Sequence, residues 1–182
     1  MNARTPDPAA VTPSPIDSFA QCHAGIVSCL QAFAELPDLI AAAERARQVA
    51  AGTLAMFDRA VLDHHKDEEA ELFPAVLHSA EPGEERARVA AIVDRLVAEH
   101  RAIEVLWKKI KPSLRDAAAG RPSSLEGADA AELVRTYLAH ARFEETQLLP
   151  LAQQILGRND NDMAALGMSL HMRHVPTVLG YI

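Results

Sequence analysis

Aromatic side chains are scarce in this chain: Phe, Tyr and Trp make up 4% of its 182 residues. Sheet surfaces are enriched in aromatic and β-branched residues, so an apolar complement dominated by Ala, Leu and Val favours closely packed helices. Cysteine is nearly missing. Cys22 and Cys29 lie seven residues apart on one helical pattern, about 10 Å between Cα atoms, too far for an intrahelical disulfide, and are expected as small core residues. Positive charge is also in deficit. With 18 Lys and Arg against 25 Asp and Glu the net charge is -7, which argues against a nucleic-acid or anionic-membrane surface. No apolar stretch approaches about 18 residues and no basic segment precedes an apolar one near Met1, so neither a spanning helix nor a signal peptide is expected, and a cytoplasmic location is the default.

What is present is ordinary for a globular protein: 49% hydrophobic and 24% charged residues in a length suited to one domain with appendages. The unexplained feature is histidine, of which there are eight, most beside carboxylates. Residues 1–16 contain Pro6, Pro8, Pro13 and Pro15 and read as a flexible tail. From Asp17, a candidate N-cap, Phe19, His23, Val27 and Leu30 trace a first helix that Pro37 should stop. A second runs through Leu54, Phe57, Val61, His64, Glu68 and Leu72 to a kink or end near Pro74. After a turn at Pro82-Gly83, Val89, Val93, Leu96, His100, Glu104 and Trp107 trace a third, ending near Pro112 or Gly120. Leu133, Tyr137, His140, Glu144 and Leu148 form the fourth stripe. The expected fold is therefore all-α: an up-down-up-down four-helix bundle over 17–157, with a short additional C-terminal helix in 158–182.

The chain repeats itself. HHKDEEAELFP from His64 and HARFEETQLLP from His140 share His at the first position, Glu-Glu at the fifth and sixth, Leu at the ninth and Pro at the eleventh. Each is preceded, 41 or 40 residues upstream, by another histidine, His23 or His100. This predicts a tandem of two helical hairpins, each with one His on its first helix and His-x-x-x-Glu on its second. Residues four apart share a helix face, so His64 with Glu68, His100 with Glu104, and His140 with Glu144 can each aim two donors at one point. His64 and Glu68 continue the apolar line of Phe57, Val61 and Leu72, while Glu69 and Glu145 reach the bundle edge. Burying that many ionisable groups costs several kcal/mol per carboxylate unless a cation compensates. The candidate metal ligands are thus His23, His64, Glu68, His100, Glu104, His140 and Glu144. Mixed imidazole and carboxylate donors without thiolates suit a pair of iron ions, with zinc or manganese as substitutes. Three Glu charges and a bridging oxo group nearly cancel the six positives of a diferric pair.

These motifs resemble the hemerythrin-like family, the hemerythrin HHE cation-binding domain, over roughly Ser18 to Leu156. The resemblance implies a four-helix bundle with a non-haem Fe-O-Fe centre. It places His23 and His64 on one iron, His100, Glu104 and His140 on the other, and Glu68 and Glu144 as bridges. Oxygen-carrying members have a fifth His where this chain has Glu104, and that departure argues against reversible oxygen transport. Binding or sensing of oxygen, nitric oxide, peroxide or iron is the implied function. The alternatives are a di-iron oxidoreductase with peroxidase-like or repair activity and a metal-stapled helical interaction protein, as monomer or homodimer. Tyr137, one turn before His140 on the same face, is placed either to approach a bound group or to fill the core, and His65 either to orient a ligand or to sit near the bundle edge. His78 is expected in solvent, and LGMSLHMRH, with His171, Met172 and His174, reads as a lid or oligomer surface.

Overall fold

The structure, a computed structural model, describes residues 15–171. Its elements are α1 (Pro15–Ala55), α2 (Leu62–Asp67), α3 (Phe73–Ser79), α4 (Glu84–Ala118), α5 (Gly127–Phe143), α6 (Leu149–Leu156) and α7 (Asp160–His171). Wide π-helical turns at Met56–Val61, Glu68–Leu72 and Glu144–Leu148 join α1 to α2, α2 to α3, and α5 to α6. The described residues are all-α as expected: three long helical runs, 15–79, 84–118 and 127–156, and then the short α7 follow one another in the up-and-down order of a four-helix bundle.

One expected turn does not occur. Pro37 lies inside α1 instead of ending it, so no hairpin separates His23 from His64. The proline leaves the carbonyl of Phe33 without its helical donor, and Phe33 is exposed, so water can take that place. Pro112 is likewise carried inside α4, which ends at Ala118. The other punctuation falls where the residues put it: Gly83 takes φ 107° in the turn after α3, and Gly120 takes φ 69° after α4.

The chain divides into two compact units, Met1–Arg45 and Ala46–Ile182. In the first, Ile26, Leu30 and Phe33 are exposed, as are Cys22 and Cys29, which were expected in a core; this length of α1 has no buried face to hold them. By length and composition, the helical run Gln21–Ser79 is also apolar enough for a membrane span, its best 18-residue window having a mean hydropathy of 1.4. Polar Gln21, His23, Ser28 and Gln31 interrupt it, which is why no unbroken apolar stretch stands out.

The second unit holds two apolar clusters. One gathers Leu72, Phe73 and Val76 with Val89, Ile92, Val93 and Leu96 of α4, and with Leu148, Leu151 and Ile155. The other gathers Phe57 and Val61 with Ile103, Trp107 and Ile110 of α4, and Leu133 of α5. Each such side chain stabilises the fold by about 1.5–3 kcal/mol through burial. Phe57 stacks on Trp107 with ring centroids 4.4 Å apart, and the indole Nε1 donates to Asp58 Oδ1 at 3.2 Å. Along α4 the buried stripe passes from Leu96 through His100 to Ile103 without losing its helical period. His100 therefore sits where one apolar cluster gives way to the other. Met163 and Leu166 of α7 pack on the first cluster, and Ser79 Oγ donates to Asp162 Oδ2 at 3.0 Å.

Candidate metal centre

Two sequence features place the polar side chains between the clusters. The first is the α4 stripe just described. The second is the pair of prolines closing the repeated motif. Pro74 and Pro150 each stand at the second position of a helix, directly after a π-helical turn. A proline in a regular α-helix loses its N–H and drives its ring against the carbonyl four residues back. The wide turn relieves this by moving the hydrogen bond out: Phe73 N–H donates to Glu68 O, and Leu149 N–H donates to Glu144 O. Glu68 and Glu144 thus open equivalent turns, and both are buried. Such turns recur at functional sites because they turn a side chain off the α-helical register.

After the first π-helical turn, Met56–Val61, the inward histidine of α2 is His65, four residues beyond buried Val61, and not His64. His65 is 1% exposed, whereas the His64 side chain is 52% exposed. His64 still reaches the site from its rim, with Nε2 3.1 Å from Glu68 Oε1.

Two groups of donors result. His65, His100 and His140 form a buried set of three imidazoles, and His64, Glu68 and Glu144 form a mixed set open on the His64 side. Within each set the potential ligand atoms lie within 4.8 Å of one another. Glu68 joins the sets, since its Oε2 is 3.2 Å from His100 Nε2.

The outward nitrogens of two of these rings are held. His100 Nδ1 meets Glu69 Oε1 at 2.8 Å, and Arg101 grips the other oxygen of Glu69. His140 Nδ1 meets Glu99 Oε2 at 3.3 Å, and Arg95 Nε donates to Glu99 Oε1 at 2.8 Å. A carboxylate accepting from Nδ1–H leaves Nε2 as a lone pair aimed inward. For His100 that lone pair faces a carboxylate oxygen, and neither His100 Nε2 nor either Glu68 oxygen makes a hydrogen bond. Both ring nitrogens of His65 are also without one. Buried donors and acceptors are normally paired. A cation resolves His100 Nε2, the Glu68 oxygens and one nitrogen of His65 together, so the residues fit a metal.

Protonation tells the same story. Burial opposes charge on His100, but Glu68 and Glu69 outweigh it and hold its pKa above the usual imidazole value. Burial first, then His100, pushes His140 down. His65 is driven to about 3, mainly by burial and then by His100. Burial, reinforced by the Glu68 charge, pushes Glu144 up; Glu68, despite its burial, is held down by His100, Glu144 and His64. Tyr137 is raised too, by burial and by Glu68 and Glu144. Its ring centroid lies 6.0 Å from that of His140 and 6.2 Å from that of Phe57, so it is both core packing and a wall of the site.

Of the residues singled out from sequence, the structure brings together His64, Glu68, His100, His140 and Glu144, with His65 and Tyr137 beside them. Glu104 points elsewhere: its Oε1 accepts from Arg101 Nη1 at 2.7 Å. His23 is exposed in the first unit. His78 is exposed as expected, while Met172 and His174 and the side chain of His171 fall outside the described residues. Sequence reasoning missed Glu69 and Glu99 as partners of the histidines, having sent Glu69 to the bundle edge. The doubled Glu-Glu signal marked Glu69; nothing local marked Glu99.

A family model for the hemerythrin HHE cation binding domain matches residues 14–152. No curated protein and no solved structure matches the chain.

Proposed function

The chain belongs to the hemerythrin HHE cation-binding family, and from that premise we propose that the buried donors hold a pair of iron ions serving to bind or sense oxygen, nitric oxide or peroxide. The observation that carries this reading is the inward Nε2 of His100 facing Glu68 Oε2 at 3.2 Å, with neither atom in a hydrogen bond. Two electron-pair donors are held face to face in a dry interior, an arrangement that costs energy unless a cation lies between them. His65, His100 and His140 would serve one ion and His64, Glu68 and Glu144 the other, with Glu68 placed to reach both.

The donor chemistry favours iron or manganese, and zinc accepts the same atoms. When bound, iron supplies reversible electron exchange and affinity for small oxygen and nitrogen species. The protein's own part is to exclude water, fix ring orientation and balance charge. Phe57, Val61, Phe73 and Leu148 keep the neighbourhood apolar, which sharpens every electrostatic contact inside it. Rapid mixing of the reduced, iron-loaded protein with oxygen, nitric oxide and peroxide tests the proposal. A spectral adduct with at least one of them is expected; an iron-loaded protein inert to all three would overturn the ligand-binding role.

A further inference from the structure

We propose that His65 is the displaceable imidazole of the metal centre, because His100 and His140 are fixed by carboxylate clamps, Glu69 with Arg101 and Glu99 with Arg95, and His65 has none. The inference rests on the metal-binding reading above. Each clamp has the same order: ring Nδ1, one carboxylate oxygen, and an arginine on the other oxygen. The arginines are themselves anchored. Arg101 also binds Glu104, and the Arg95 guanidinium lies 3.6 Å over the Phe143 ring. A clamped imidazole has one tautomer, one orientation and a more basic inward nitrogen. Glu104 thereby has a role other than donating to metal: it is the outer counter-charge of the His100 clamp.

His65 differs on every count. It is buried, yet neither ring nitrogen has a hydrogen-bond partner. Its neighbours are rings: His100 parallel at 3.9 Å between centroids, His140 edge-on at 5.4 Å and Tyr137 at 6.3 Å. Stacking holds a ring loosely compared with a charge-assisted hydrogen bond. A small anion or diatomic molecule therefore enters at the His65 position, where one loosely held ligand is lost, instead of at His100 or His140.

The test uses the full chain, cobalt(II) as the metal and azide as the incoming anion, read by visible absorption. Helical circular dichroism and the melting temperature serve as fold controls. His65→Ala is expected to weaken cobalt binding at least about tenfold less than His100→Ala does and to bind azide at least about tenfold more tightly than wild type, while Glu69→Gln and Glu99→Gln each weaken cobalt binding about 10–100-fold without loss of fold. The inference is overturned if His65→Ala loses cobalt as completely as His100→Ala, if its azide affinity does not rise, or if the two Gln variants bind cobalt as wild type does. A wild-type protein that takes up no cobalt overturns the metal-binding reading itself, which separates the two failures.

Discussion

His64 and His65 are adjacent and have opposite fates, one on the rim and one in the dry interior. The motif made the region visible, because a doubled His-x-x-x-Glu on an apolar face is hard to explain by surface pairing. It could not choose between the two histidines, because His64 and His65 follow the buried Val61 by three and four residues, and both spacings share a helix face. The clamps were hidden for a related reason. Glu69 and His100 are 31 residues apart, and Glu99 and His140 are 41 apart, so their pairing exists only in the folded chain. A titration follows from the His65 environment. Its pKa falls from 6.5 to about 3 on folding, so below the unfolded value the unfolded chain binds a proton that the native chain refuses. The metal-free protein is therefore expected to lose stability as pH falls from 6.5 toward about 3. Urea midpoints across that range should show a shallower acid loss in His65→Leu than in wild type. Equal slopes would show that His65 does not titrate in this way.

At the scale of elements, the repeated motif has a repeated structural consequence. Both copies end in a proline, and both carry a π-helical turn that begins at the first Glu of the pair. Proline thus aims a carboxylate here, whereas at Pro37 and Pro112 it is absorbed within a helix. A local rule that treats proline as a stop could not separate these cases. Pro150→Ala allows the turn at Glu144 to tighten toward a regular α-helix. Helicity by circular dichroism should be kept or slightly raised, while cobalt affinity falls at least about tenfold because Glu144 turns away from His64 and Glu68. Unchanged affinity would mean that the wide turn does not aim Glu144. The stripes through Phe57 and Val61, along α4 and through Leu133 and Leu148 were legible from period alone, best of all in α4, where every inward residue from Val89 to Leu114 keeps step, whereas the first stripe, through Phe19, Val27 and Leu30, lies exposed.

At the scale of the second unit, a polar centre lies between two apolar clusters that α4 runs through in turn. The clusters supply the stability that the buried charges cost. Leu96→Ala and Ile103→Ala, one in each cluster, should each destabilise the metal-free protein by about 2–5 kcal/mol, checked by urea unfolding. A loss well below that range would mean that its cluster does not carry the fold. Metal raises the same midpoint by mass action, since it binds the native chain in preference to the unfolded one. The centre itself, where His100 Nε2, both Glu68 oxygens and both His65 nitrogens are buried without hydrogen bonds, is the feature on which everything else depends. Elemental analysis of the folded chain after anaerobic ferrous reconstitution and desalting measures it most directly. Two irons per chain, with near-ultraviolet ferric absorption on exposure to air, is the expected result; a helical, cooperatively folding protein that retains no iron would contradict it.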